Sequence, residues 1–127
     1  MKKLMSMLLT ALMLTGCSSG GKASNTYRQI SMDEAVTMME RETDYIILDV
    51  RRPDEYATGH IPNAINVANE SIGTDDITEL PDKNQLIMVY CRSGRRSKEA
   101  AEKLVKLGYT NIVEFGGILD WKGEIET

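Results

Sequence analysis

Apolar and polar positions along the chain form blocks that predict strands separated by helices. Two continuous apolar runs, residues 45–50 and 85–90, are typical of strands buried on both faces of a parallel sheet. Shorter strands are predicted over residues 27–30, 65–67 and 111–114. Strands that alternate with helices indicate an α/β layered domain with a largely parallel sheet.

Helix signals stand between these strands. Ser31 and Glu34 have the spacing of a capping box and predict a helix that runs to about Arg41. Pro53 suits the first position of a helix, so a short second helix is expected over residues 53–57.

The clearest helix signal lies in the second half of the chain. Residues 97–107 combine an apolar stripe with Glu–Lys pairs four residues apart, and Gly108 follows as a C-terminal cap. One helical turn is also expected over residues 75–80. Residues 115–121 predict a glycine turn that leads into a last short helix.

The first 16 residues carry the features of an export signal. Two lysines follow the initial Met, and residues 4–14 form an apolar run that suits a signal peptide and is too short for a membrane span. The next residues, Leu14-Thr15-Gly16-Cys17, resemble a bacterial lipoprotein box. We therefore expect a signal peptide (1–16), a lipid on Cys17, a flexible tether (17–26) and a folded domain (27–127). The protein would be exported and anchored to the extracytoplasmic face of a bacterial membrane, in the periplasm or at the cell surface.

Composition limits the function classes. The 127 residues are 42% hydrophobic and 27% charged, which suits one globular domain. The net charge of −4 argues against a nucleic-acid-binding protein, which would usually show a basic excess. Any anion-binding patch must therefore be local.

Such a patch surrounds the second cysteine, Cys91. It follows a predicted buried strand and opens the sequence Cys91-Arg92-Ser93-Gly94-Arg95-Arg96-Ser97. A loop between a strand and a helix curls its backbone N–H groups inward, and the helix adds its positive end, so an anion is favoured. With the nearby arginines, these features favour the thiolate, which is the nucleophilic form of cysteine.

Another interpretation is that Cys91 is buried and inert and that the arginines are solvated. The crowding of three arginines and a glycine into one turn makes the reactive cysteine the better interpretation. If Cys17 carries a lipid, Cys91 has no other cysteine with which to pair.

Five motifs, in order and spacing, resemble the single-domain rhodanese sulfurtransferases over about residues 27–123. They are Leu48-Asp49-Val50-Arg51, Glu55-Tyr56, Gly59-His60-Ile61-Pro62, Cys91-Arg92-Ser93-Gly94-Arg95-Arg96-Ser97, and Gly116-Gly117-Ile118 with Trp121. The resemblance implies a central, mostly parallel five-stranded sheet flanked by helices. One departure is Asn63, where many members have Gly.

The resemblance also implies an activity. Cys91 would take the outer sulfur of thiosulfate or a similar donor, form a persulfide, and pass that sulfur to cyanide or a thiol. The backbone of residues 92–97 would hold the anion, and Arg96 matches the family's loop arginine, whereas Arg92 and Arg95 would supply mainly electric field. No metal or organic cofactor is implied.

Four other conspicuous residues are better explained by structural roles than by catalysis. Asp49 and Arg51 could be polar groups of the active site, although a carboxylate and a guanidinium at a strand end more often pair to brace loops. His60, the only histidine, is expected to pack and cap its turn, and Trp121 is expected to lie in the core. One histidine and one free cysteine make no sensible metal site.

Two other functions compete with sulfur transfer. Cysteine-dependent phosphatases also place a thiolate and an arginine in an anion cradle, but the phosphatase-like relatives have a seven-residue loop, whereas Cys91 to Arg96 spans six residues. A non-catalytic rhodanese-like binding or sensor module would commonly lack the cysteine, which this chain keeps.

Overall fold

Five parallel strands form a single sheet in the order β1-β5-β4-β2-β3. The strands are β1 (Arg28–Gln29), β2 (Tyr45–Asp49), β3 (Ile65–Asn66), β4 (Leu86–Cys91) and β5 (Ile112–Gly117). The helices are α1 (Met32–Arg41), α2 (Pro53–Thr58) and α3 (Arg95–Lys106), with 3-10 turns at Asn69–Ser71 and Ile118–Asp120. The sheet confirms the α/β class expected from the sequence.

The computed structural model describes residues 26–127. The expected signal peptide, Cys17 and nearly all of the expected tether lie outside these residues. Within residues 26–127, no helix is both long and apolar enough to span a bilayer.

Helices cover both faces of the sheet because successive side chains of a strand point to opposite faces. On one face, strand residues such as Leu48 and Val89 pack against Ala100, Ala101 and Leu104 of α3. On the other face, strand residues pack against α1 and the segment after α2; this second cluster contains Ala35, Ile47, Ile61, Met88, Tyr90 and Phe115. The central strands are therefore buried on both sides, as their continuous apolar sequence predicts.

The capping box at α1 is present as expected. Glu34 N–H donates to Ser31 Oγ at 3.1 Å, and Ser31 N–H donates to the Glu34 carboxylate at 2.8 Å. Asn63 has a φ of 71°, a left-handed conformation that Asn tolerates better than most residues and Gly adopts freely. This explains how Asn can stand at a position where glycine is common.

Two boundaries differ from the sequence-based expectation at the cysteine loop. Helix α3 begins at Arg95 rather than at residue 97, because Gly94 has a φ of +113° and turns the chain into the helix earlier. Strand β5 continues to Gly117, so the expected glycine turn is wrong at its start. Gly117 pairs with Cys91 after a register shift, which carries the strand past both glycines.

The helical turn expected at residues 75–80 is also wrong. The 3-10 turn of this region lies earlier, at Asn69–Ser71, and Ile77 and Leu80 are joined by a single backbone hydrogen bond. Both side chains are buried, and the hydroxyl of Tyr109 donates to the Leu80 carbonyl. Core anchoring therefore governs the conformation of this segment. The last short helix is confirmed as the 3-10 turn at Ile118–Asp120.

Candidate active site

The cysteine lies at the carboxyl end of the central strand. Cys91 is the last residue of β4, and its residue surface is only 1% exposed. Ligands of open parallel sheets bind beyond the carboxyl ends of strands, where the loops converge. The topology therefore places Cys91 at the edge of the sheet where chemistry is expected.

The loop after Cys91 turns a backbone donor toward the sulfur. Gly94 N–H donates to Cys91 Sγ at 3.0 Å, and the left-handed conformation of Gly94 makes this geometry possible. The first N–H groups of α3, which begins at Arg95, have no acceptor within the helix. The loop therefore offers both a donor to the sulfur and further donors to an anion beside it.

Ser97 lies beneath the sulfur rather than at the surface of the cradle. It is fully buried, and its Oγ is 3.5 Å from Cys91 Sγ. The same hydroxyl oxygen lies 2.5 Å from Glu114 Oε2 and 3.0 Å from the Gly94 carbonyl oxygen. Ser97 thus connects the nucleophile to a buried carboxylate on β5.

Arg96 is already engaged by a carboxylate of α2. Its Nη1 donates to Glu55 Oε1 at 2.7 Å and its Nη2 donates to Oε2 at 3.1 Å, so the pair is bidentate. The hydrogen bond from Arg96 lowers the pKa of Glu55 to about 2, despite partial burial. The same pairing raises the pKa of Arg96, and the Cys91 sulfur is a further electrostatic neighbour of this guanidinium.

The other cations of the loop differ in their partners. Arg95 is exposed and pairs with Glu99, one turn along α3, at 3.2 Å. Lys98 Nζ donates to the Gly94 carbonyl at 3.3 Å. Within the described residues, the side chain of Arg92 is exposed and has neither a hydrogen bond nor an ion pair. Arg92 and Ser93 therefore form the open rim of the loop.

Asp49 and Arg51 form a buried pair beside the site. Arg51 donates from Nε and Nη2 to the Asp49 carboxylate, the shorter contact being 2.7 Å, and Nη2 also donates to the Gly59 carbonyl at 2.7 Å. The Tyr90 hydroxyl donates to Asp49 Oδ2 at 2.7 Å. Burial, and then this hydrogen bond to Asp49, raises the pKa of Tyr90. The pair therefore ties the end of β2 to β4 and to the turn after α2.

His60 and Trp121 pack against their neighbours. The His60 ring stacks on Tyr56 with centroids 3.8 Å apart, and its Nδ1 lies 3.0 Å from the Tyr56 carbonyl oxygen. Trp121 packs against the second core cluster and donates from Nε1 to the Glu124 carbonyl. Among residues 26–127, no group of three or more His, Cys, Asp and Glu side chains is arranged to hold a metal ion.

Two carboxylates near the site were not assigned a role from the sequence. Glu55 lies in one of the quoted motifs, but its bond to Arg96 joins residues 41 positions apart. Glu114 interrupts an apolar strand, as Asp49 does, and this interruption is the signal that could have found it. The structure gives the positions of residues 91–97, and the roles expected for them stay predictions.

Fold and site together define a class of protein. A parallel α/β domain presents a cysteine from its central strand to a glycine-containing, arginine-rich loop that opens a helix. The family model of the rhodanese-like domain matches residues 31–124. The chain belongs to this family.

Two similar proteins are named thiosulfate sulfurtransferases. The chain is 40% identical over 73 residues to thiosulfate sulfurtransferase PspE of Escherichia coli, covering 58% of this chain and 70% of that protein. It is 33% identical over 102 residues to thiosulfate sulfurtransferase GlpE of Coxiella burnetii, covering 80% of this chain and 92% of the relative.

Solved structures share the fold. A rhodanese with anions from E. coli superposes with a TM-score of 0.60 at 35% identity, covering 65% of this chain and 98% of that one. A rhodanese-like domain protein from Staphylococcus aureus gives a TM-score of 0.67 at 31% identity, covering 78% and 96% of the two chains. The rhodanese-like fold expected from the sequence is thus confirmed.

Proposed function

We propose that this protein is a sulfurtransferase that moves sulfane sulfur from thiosulfate, or a similar donor, to cyanide or a thiol through a persulfide on Cys91. One observation carries the proposal: the sulfur of Cys91 accepts a hydrogen bond from the N–H of Gly94, the residue at the N-terminus of α3. Such a donor favours negative charge on sulfur, and the thiolate is the attacking form. Relatives named thiosulfate sulfurtransferase support the same activity.

The first half of the reaction forms the persulfide. The Cys91 thiolate attacks the outer sulfur of thiosulfate, the S–S bond of the donor breaks, and sulfite leaves with the bonding electron pair. In the second half, the acceptor attacks the outer sulfur of the persulfide, and Cys91 leaves as a thiolate. Each half conserves charge and needs no external oxidant or reductant.

Electrostatics make the cations of the loop important for the first half. A thiolate and a dianionic donor repel each other, so the encounter needs positive charge close by. Residues 92–98 carry four cationic side chains, and Arg92 has no carboxylate partner within the described residues. Arg92 is therefore placed to meet an incoming anion first.

A phosphatase is the competing enzyme class. The six residues from Cys91 to Arg96 favour sulfur transfer over a larger tetrahedral substrate. The test is a thiosulfate:cyanide assay and a phosphatase assay on the same preparation, with Cys91→Ser as the control in both. We expect thiocyanate formation that depends on Cys91. Cysteine-dependent phosphate release without thiocyanate would overturn the proposal.

We also propose that Cys17 carries a lipid and holds the protein on the extracytoplasmic face of a bacterial membrane. Support comes from the sequence alone: a basic start, an apolar run and the box that ends at Cys17. Two or more acyl chains give stable attachment, whereas one chain gives only reversible binding.

A further inference from the structure

A buried carboxylate lies behind the nucleophile and has no cation partner within residues 26–127. Glu114 is 2% exposed, and its hydrogen-bond donors are neutral. They are the Ser97 hydroxyl at 2.5 Å, Gly116 N–H at 2.9 Å and the Gln29 side-chain amide at 3.4 Å. A buried charge without a cation partner costs free energy, so the groups around Glu114 must offset that cost.

Ser97 offers the connection between this carboxylate and the sulfur. Its Oγ is 2.5 Å from Glu114 Oε2 on one side and 3.5 Å from Cys91 Sγ on the other. A hydroxyl has one hydrogen and two acceptor lone pairs, so it can accept from one neighbour while it donates to the other. All three side chains are buried, which keeps water from competing for these contacts.

We propose that Glu114 takes the proton of the Cys91 thiol through Ser97. The S–H bond breaks and its proton passes to Ser97 Oγ, while the hydrogen of the hydroxyl moves to Glu114 Oε2. A neutral thiol and a carboxylate become a thiolate and a neutral carboxylic acid, so net charge is conserved. The hydrogen bonds then run in reverse, from Glu114 to Ser97 and from Ser97 to the sulfur.

The sulfur and the carboxylate differ in the charge of their neighbours. Cys91 Sγ accepts from Gly94 N–H and has Arg96 as an electrostatic neighbour. The hydrogen-bond donors to Glu114 in the described part of the chain are neutral, and one of them, Gln29, belongs to β1. Glu114 also interacts electrostatically with Tyr27, whose pKa is raised by burial first and then by Glu102 and Glu114. In the proposed relay, the positive charge near Cys91 stabilises the thiolate that remains after its proton has passed to Glu114.

The test reads the thiolate by its ultraviolet absorbance in the full chain at neutral pH. We expect a strong thiolate signal in the wild type. In Glu114→Gln and in Ser97→Ala it should fall severalfold, to the level that the Gly94 N–H and the loop cations support without the relay. Because both residues act in one relay, the double variant should show no further loss. Glu79→Gln and Ser71→Ala are matched controls at exposed positions and should keep the wild-type signal.

A folded Glu114→Gln variant that keeps the wild-type thiolate signal overturns the proposal, and so does a wild type that has no such signal. If both variants unfold by circular dichroism, isotope-edited infrared spectroscopy of glutamate carboxyls replaces them. We then expect a protonated-carboxyl band in the wild type that is absent in Cys91→Ser, and a band present in both proteins, or in neither, contradicts the relay.

The inference rests on Cys91 as the nucleophile of the proposed function. The absorbance measurement uses no sulfur donor and no acceptor. A failure of sulfur transfer and a failure of the relay are therefore separate results.

Discussion

Two anionic groups compete for the guanidinium of Arg96. One is the Glu55 carboxylate, which it contacts in the structure, and the other is the anionic donor of the proposed reaction. A guanidinium has five N–H donors, and its planar fork matches two oxygens of an anion in a way that lysine cannot. We therefore predict that Arg96 touches the donor, whereas Arg92, whose side chain has no partner among residues 26–127, acts mainly through its electric field. Field effects are screened by salt, whereas contacts are screened much less.

The two arginines should consequently respond differently to salt. Arg96→Lys should lower kcat/KM for thiosulfate by about tenfold to a hundredfold at all salt concentrations, the range expected for losing a charge-assisted hydrogen bond. Arg92→Gln should lower it mostly at low salt. The measurement is kcat/KM across an ionic-strength series. If the two variants lose kcat/KM in parallel at every salt concentration, then Arg96 does not act by direct contact while Arg92 acts through its electric field.

Individual residues also show how far the site could be predicted from the sequence. Cys91 and the arginines of its loop were identifiable because they follow one another along the chain. Glu55 and Glu114 were not, because their partners Arg96 and Ser97 lie 41 and 17 positions away. Pairings of this kind depend on how the loops meet at the edge of the sheet, which the sequence pattern does not specify.

At the scale of elements, the bond between Glu55 and Arg96 joins α2 to α3 beyond the edge of the sheet. The pKa of Glu55 is lowered from 4.5 to about 2, so the folded state prefers the charged form. The resulting stabilisation is fully present above about pH 4.5 and is lost as the pH falls toward 2. The side chains are 18% and 22% exposed, so we expect about 2 kcal/mol after allowance for solvent screening.

Glu55→Gln should therefore lower the free energy of unfolding at neutral pH, and the difference from the wild type should shrink in acid. Urea unfolding over a pH series measures this. Asp76→Asn, which removes an exposed pair with Lys83, is the control and should change stability little. A deficit in Glu55→Gln that stays constant down to about pH 2 would contradict the assigned pairing.

The end of β5 supports the cysteine loop by direct contact. A Cβ at Gly117 would overlap the Arg92 carbonyl oxygen and would lie 2.6 Å from Ser93 Cα. Gly117→Ala should therefore displace the loop, destabilise the protein by about 2–4 kcal/mol and abolish most of the sulfur transfer.

Gly73→Ala is the matched control for that substitution. A Cβ at Gly73 meets no atom within 4 Å, so stability and activity should be retained. Thermal unfolding and the thiosulfate:cyanide assay check both variants. Gly117→Ala with wild-type stability and activity would show that the loop does not depend on this contact.

The same element shows why parts of the fold escaped sequence analysis. The apolar runs predicted β2 and β4 because burial on both faces imposes a continuous pattern. The glycines at 116 and 117 were expected to form a turn, since glycine usually interrupts strands. In the structure, pairing of Gly117 with Cys91 keeps them in β5. Glycine is required where two backbones approach closely, and it is also common in turns. The sequence alone therefore does not distinguish these two reasons for a glycine.

At the scale of the whole molecule, the folded domain and the N-terminal segment make separate predictions. Cys17→Ala should prevent lipid attachment and leave unprocessed precursor or release soluble protein, because the acyl chains supply the membrane affinity. Membrane fractionation together with the mass of the mature N-terminus tests this. Wild-type protein that is soluble and has an unmodified N-terminal mass would contradict the anchor.

The central claim is that Cys91 carries the transferred sulfur. The most direct test is to incubate the purified protein with thiosulfate alone and to measure the mass of each cysteine-containing peptide together with the sulfite released. We predict one added sulfur atom on the Cys91 peptide, one equivalent of sulfite, and neither in Cys91→Ser, since a serine hydroxyl is not ionised at neutral pH. Added sulfur on another residue, or on the serine variant, would contradict the account.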